Sequence, residues 1–165
     1  MDGLKVTFCA DLVRVVILGS AVVFLATGDG ASALMALLVL VPSVTARWVR
    51  VSPILDLGFA LALGAQAIGR PFEGDDTLPH LVLPLLSGPV LYVGLLRLGV
   101  VPRFPGVATF VGVLALGVAW ELVEWFADTT LGTDYSQGYG DTAGDLLNDA
   151  LAAAASGVLV SVWVR

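Results

Sequence analysis

Residues 105–128, PGVATFVGVLALGVAWELVEWFAD, and residues 141–164, DTAGDLLNDALAAAASGVLVSVWV, are each long and apolar enough to cross a bilayer, yet together they carry six carboxylates. A membrane-spanning helix needs about 20 mostly apolar residues. An ionised acid near the bilayer centre costs roughly 2.5–3.5 kcal/mol on insertion scales, so an acid inside such a run is a candidate for function. One row is Glu121, Glu124 and Asp128; the other is Asp141, Asp145 and Asp149. These two segments decide both the fold class and the place to look for chemistry.

The rest of the chain repeats the apolar pattern. It has 165 residues, 58% of them hydrophobic and 13% charged, and a mean hydropathy of +0.93, outside the range of soluble globular domains. Six spans are expected: Phe8–Ala26, Ala31–Arg47, Pro53–Gly69, Leu78–Leu98, Pro105–Ala127 and Thr142–Val164. They occupy nearly the whole chain, so residues 1–165 read as a single all-α, polytopic transmembrane domain. The first span is read as a retained helix rather than a signal peptide, because Asp11 and Arg14 interrupt its start and no small-x-small cleavage site follows. The net charge of −6 excludes a nucleic-acid partner, which needs a basic face. Cys9 stands alone and forms no intramolecular disulfide.

Basic residues orient the spans. Lys5 and Arg14 start the first, Arg47 and Arg50 lie between the second and third, Arg97 and Arg103 flank the fourth connection, and Arg165 closes the chain. Only Arg70 breaks the alternation. Lys/Arg bias in short loops sets topology, so both termini are expected on the cytoplasmic side of the cell (inner) membrane. The carboxylate rows then lie in the outer half, with Trp120 and Trp125 near the outer interface and Trp48 and Trp163 near the inner one. Asp11 and Arg14 are expected to pair on one helical turn, and Asp56 to cap its helix or meet Arg47 or Arg50. Small residues in the third and sixth spans suit close helix packing. Pro84 and Pro89 predict a kink or unwinding near Ser87-Gly88.

Helical phase arranges the acids. At 100° per residue each row keeps to one face, and the polar loop from Thr129 to Gly140 reverses the chain. Equal rise from that loop pairs Asp128 with Asp141 at the rim, Glu124 with Asp145 below, and Glu121 with Asp149 deepest. Asp141, before Thr142, reads equally as a helix N-cap, and Asp128 and Asp134 as solvated loop acids. Glu121, Glu124, Asp145 and Asp149 sit in apolar runs with no such explanation. Six like charges require a bound cation, shared protons, or rotation to the aqueous rim. His80, the only histidine, falls at matching depth and is read as a partner. Oxygen ligands with at most one imidazole suit Mg²⁺, Ca²⁺ or Mn²⁺, with Zn²⁺ or Fe²⁺ entering if His80 joins. The candidate metal ligands are therefore Glu121, Glu124, Asp128, Asp141, Asp145, Asp149 and His80.

The stretch from Trp120 to Asp149 resembles the YjdF-like family of bacterial integral membrane proteins. Its pattern W-E-x-x-E-[FW]-x-x-D reads here as Trp120-Glu121, Glu124-Trp125 and Asp128; a loop Gln is Gln137; and D-T-x-x-D-L-x-x-D reads as Asp141-Thr142, Asp145-Leu146 and Asp149. A second family segment, D-H-x-x-H-F-x-S-G, is matched in part. His80 takes its first His, with Pro79 where the Asp is expected; Leu86-Ser87-Gly88 takes its end one residue later than the pattern sets, and counted back from there Pro84 stands where the second His is expected. A looser likeness is to VanZ-like membrane proteins. The resemblance implies an integral membrane protein with its site on these acids, and names no reaction.

Two classes of function fit the residues. One is a metal-dependent hydrolase or transferase acting on a lipid or envelope substrate, with Glu124 or Asp145 as general base and His80 as acid. The other is a proton- or cation-coupled transporter, or an accessory membrane protein without catalysis. No nucleophilic Ser or Cys or phosphate loop stands out, and Ser136 reads as a turn residue.

Overall fold

The computed structural model describes residues 2–68 and 77–164. Its regular structure is helical throughout: α1 (Gly3–Thr27), α2 (Gly30–Val49), α3 (Pro53–Ile68), α4 (Thr77–Arg97), α5 (Pro105–Leu131) and α6 (Tyr139–Trp163). Five of them, all but α3, are long and apolar enough to cross a membrane. The chain is a polytopic membrane protein. Its helices carry large apolar side chains outward, among them Leu122, Trp125, Phe126, Val158 and Leu159, as a lipid solvent allows. α3 has 16 residues; Gly69 and Arg70 lie outside the described residues.

Local chemistry sets the ends. Asp2 caps α1, its side chain accepting from the Leu4 amide, and Asp29 caps α2 by accepting from Ser32. This places the start of α1 earlier than hydropathy alone does, because the cap lies before the apolar run. α5 opens on Pro105, where a missing N–H costs nothing. It runs past Ala127 to Leu131, because the Thr129 and Thr130 hydroxyls turn back onto the Trp125 and Phe126 carbonyls. Gly132, at φ 69°, then stops it in the left-handed region that favours glycine.

The chain divides into two compact units, Met1–Glu73 and Gly74–Arg165. In the first, α1 packs on α2 and α3, and α2 on α3. Its interior holds a charge cluster. Arg14, 8% exposed, donates from Nε and Nη2 to the Ser43 carbonyl (3.1 and 2.9 Å) and from Nη1 to Asp11 (2.9 Å), and it forms an ion pair with the 3% exposed Asp56. The Asp11–Arg14 pair is the one expected from the sequence. Asp56, however, meets Arg14 rather than Arg47 or Arg50, and Arg47 instead reaches Asp11 at 3.3 Å. A guanidinium with several donors joins three helices at one point, which neither neighbouring arginine does from its helix end.

In the second unit α6 packs against both α4 and α5, and α4 against α5. Gly106 of α5 and Gly157 of α6 lie so close that a Cβ on either falls 2.6 Å from the other's carbonyl oxygen. α4 runs unbroken through Pro84 and Pro89, so the unwinding expected near Ser87-Gly88 does not occur. Pro89 has no N–H for the Leu85 carbonyl four residues back. The Ser156 hydroxyl of α6 donates to that carbonyl instead, at 2.9 Å, and Gly88 leaves room for Ser156 to approach.

Candidate functional site

Three helices of the second unit bring their buried polar groups to one point. α4 contributes His80 from its first turn, α5 contributes Glu121, and α6 contributes Asp145 and Asp149 one turn apart on one face. All four are nearly inaccessible, with 2–6% of their surface exposed. His80 Nδ1 lies 3.1 Å from Asp149 Oδ1 and 3.9 Å from Glu121 Oε1, while Nε2 on the other edge of the ring lies 4.0 Å from Asp145 Oδ2. One ligand atom from each of His80, Glu121 and Asp149 falls within 4.8 Å of the others.

The polar atoms at this point are incompletely satisfied. Among the described residues neither oxygen of Glu121 and not Oδ2 of Asp149 has a hydrogen-bond partner. Thr142 of α6 stands beside Glu121 without making a hydrogen bond of ordinary geometry. Buried polar groups are ordinarily paired, and buried carboxylates all the more so. Glu124 of α5 is buried beside them.

The other expected residues occupy different places. Glu124, one turn along α5 from Glu121, accepts from Trp120 Nε1 at 3.0 Å. Asp128 stays with the loop: it accepts from the Thr133 hydroxyl (2.6 Å), the Tyr135 and Ser136 amides (2.7 and 2.9 Å) and the Ser136 hydroxyl (2.6 Å). Both of its oxygens fasten the α5–α6 connection, and Ser136 acts as a turn residue. Asp141 is not the N-cap of α6; that position belongs to Gly138, whose carbonyl accepts from the Asp141 amide, and Asp141 falls within the first turn. The helix begins earlier because Gly138, at φ 101°, turns the chain in a conformation unsuited to most residues. Asp134 is exposed. Arg70, Glu73, Asp75 and Asp76 lie outside the described residues.

Two participants escaped the sequence reading. Gly117 is one turn before Glu121, and a Cβ there would stand 2.8 Å from Asp149 Cγ; a small residue four positions before a buried acid was the available sign. Trp120, which the sequence places near the outer interface, also holds Glu124, and its place four residues before that acid is what allows the bond.

No curated protein and no solved structure matches the chain, and the looser likeness to VanZ-like proteins is not shown. A family of predicted membrane proteins, DUF2238, matches residues 5–165, and the YjdF-like resemblance falls within it. With apolar helices throughout, and an acid–histidine site assembled from the three that end the chain, the protein belongs to the DUF2238 family of predicted membrane proteins.

Proposed function

We propose that this is a metal-centred membrane enzyme, a hydrolase or transferase acting on a lipid or envelope substrate. One observation carries the reading: one ligand atom from each of His80, Glu121 and Asp149 converges from three helices within 4.8 Å, while Glu121 and Asp149 Oδ2 have no hydrogen-bond partner among the described residues. Two carboxylates and an imidazole fit a divalent ion, and the nitrogen donor favours Mn²⁺, Fe²⁺ or Zn²⁺ over Mg²⁺ and Ca²⁺. Such an ion supplies Lewis acidity toward a phosphoryl or acyl oxygen and acidifies a bound water.

The residues around it have separate tasks. His80, Glu121 and Asp149 form the ligand set, so His80 is a ligand in this reading and not the general acid. Glu124, held by Trp120 at 3.0 Å, is the general base, its orientation fixed before substrate arrives. Lys/Arg bias puts this end of the helices on the extracytoplasmic side of the cell membrane, where the apolar outer faces of α5 and α6 admit a substrate from the lipid. Chemistry is favoured over passage of ions by the composition of α6 beyond Asp149. Its buried positions there are Ala152, Ala153, Ser156, Gly157 and Val160, which continue no ladder of ionisable groups.

The test is elemental analysis and Mn²⁺ or Zn²⁺ titration of the purified protein. Wild type is expected to bind a stoichiometric ion, Glu121→Ala and Asp149→Ala to lose it, and Asp128→Ala to keep it. Absence of binding in wild type, or binding indifferent to both ligand substitutions, refutes the reading.

A further inference from the structure

We propose that Asp145 is a positioning residue that holds His80 as the Nε2–H tautomer, so that Nδ1 presents its lone pair to a divalent cation between Glu121 and Asp149. This rests on the metal reading above and adds to it the control of which ring nitrogen binds. The argument begins with the two edges of one imidazole. A neutral imidazole carries its proton on one nitrogen and a lone pair on the other, so whatever stabilises the N–H at one edge frees the other edge for a metal. The Nδ1 edge faces Asp149 at 3.1 Å and Glu121 at 3.9 Å, the two acids that group with His80 within 4.8 Å. The Nε2 edge faces Asp145, with Oδ2 at 4.0 Å.

Asp145 is outside the group of three and faces the other ring edge. That is the place from which a carboxylate orients a metal-bound histidine: such histidines almost always donate their second N–H to a carboxylate or carbonyl, which fixes the tautomer and raises ligand basicity. Asp145 and Asp149 are one turn apart on α6, so a single helix face carries both a ligand for the ion and the group that orients its neighbour. A separation of 4.0 Å is an electrostatic contact, and a carboxylate there would favour the proton on Nε2 when an ion is held at Nδ1. The division also separates the two like acids of α6 by role, and removes Asp145 from candidacy as general base.

Because His80 is the only histidine in the sequence, its ring nitrogens give an unambiguous ¹⁵N spectrum. In protein labelled at histidine and loaded with Zn²⁺, wild type is expected to show a metal-bound Nδ1 and a protonated Nε2. Asp145→Ala is expected to weaken Zn²⁺ binding by about 10–100-fold, the range for removing such an outer partner. Asp145→Asn keeps an acceptor oxygen without the charge and is expected to recover most of that loss. A spectrum with Zn²⁺ on Nε2 overturns the assignment, as does equal loss in the Asn and Ala variants, which makes Asp145 a ligand or a bare charge. If wild type binds neither Zn²⁺ nor Mn²⁺, the metal reading falls and this inference with it. If wild type binds and Asp145→Ala binds equally well, only the role of Asp145 falls. The wild-type spectrum decides which nitrogen binds even where Asp145→Ala fails to fold, and Asp145→Asn, nearly the same in shape, then tests the role of Asp145.

Discussion

Replacing Gly117 by Ala separates the site from the fold that carries it. An added Cβ would stand 2.8 Å from Asp149 Cγ and 3.2 Å from Asp149 Cβ, and nearer still to Oδ2. Carbon atoms in contact prefer about 3.5–4.0 Å, so the Asp149 side chain must withdraw by most of an ångström or α5 and α6 must part. Overpacking of this kind costs about 1–3 kcal/mol. Removing a glycine from a helix interior returns about 1 kcal/mol, leaving a net loss of roughly 0–2 kcal/mol. The fold therefore survives. Binding should not, because the displaced group is the carboxylate that meets His80 Nδ1 at 3.1 Å. We expect Gly117→Ala to unfold within a few degrees of wild type while its Mn²⁺ or Zn²⁺ affinity falls at least tenfold, the consequence of about 1.4 kcal/mol of lost ligand energy. Gly144→Ala is the control: it lies on the same helix as Asp149 and a Cβ there meets nothing within 4 Å, so it should leave affinity unchanged. A Gly117→Ala protein with wild-type affinity refutes the placement of Asp149; one that fails to fold while Gly144→Ala folds shows the contact to be a matter of packing.

Other substitutions reach features away from that contact. Arg14→Met strands the buried Asp56 carboxylate and is expected to cost about 3–5 kcal/mol in denaturant titration, most of it recovered in the double variant Arg14→Met, Asp56→Leu; absence of recovery means the pair does not act as a unit. Ser156→Ala leaves the Leu85 carbonyl without its donor and should cost about 1–3 kcal/mol, but less when Pro89→Ala supplies a backbone N–H; equal losses in the two backgrounds remove this account of α4. Asp128→Ala should raise hydrogen exchange at the Tyr135 and Ser136 amides with no change in metal stoichiometry, and lost stoichiometry would put Asp128 back among the ligands. A cysteine at Asp134, with Cys9 replaced by Ser, should react with an impermeant maleimide from the extracytoplasmic side; labelling only from the cytoplasm reverses the orientation.

The helices were legible because each is an apolar run closed by residues with a physical reason to close it, such as Pro53, Pro105, Gly28 and Gly132. Helix phase was legible too, since it depends only on a fixed turn per residue, and it put Glu121 and Asp149 on inward faces. What phase leaves open is how far each helix is rotated toward a third. The orientation of His80, with one ring edge to Asp149 and the other to Asp145, depends on how α4 sits against the α5–α6 hairpin. Arg14 meeting Asp56, 42 residues away, has the same origin: several acids were within plausible reach, and packing chose one. The prolines of α4 taught the reverse. Sequence shows a lost backbone bond, but not the hydroxyl on another helix that replaces it.

The small residues of the last two helices connect these observations. Asp149 lies against Gly117, Ser156 against Gly88, and Gly157 against Gly106, so α6 is held closely at successive turns along one face. In lipid, helices gain little from burying apolar surface against each other and depend on close approach and on hydrogen bonds between them. The Gly106–Gly157 contact is backbone against backbone and cannot yield by turning a side chain. It fixes the distance between α5 and α6 at the end away from the acids. With the helices fixed there, Asp149 two turns further on has little freedom to retreat from Glu121, and packing keeps the two acids adjacent, each within reach of His80 Nδ1. In the proposed metal reading, a site assembled this way holds its acids together before any cation arrives, so less ordering is left to be done in binding. In that reading a divalent ion that binds only the folded chain is expected to raise thermal stability with the logarithm of its concentration over Kd.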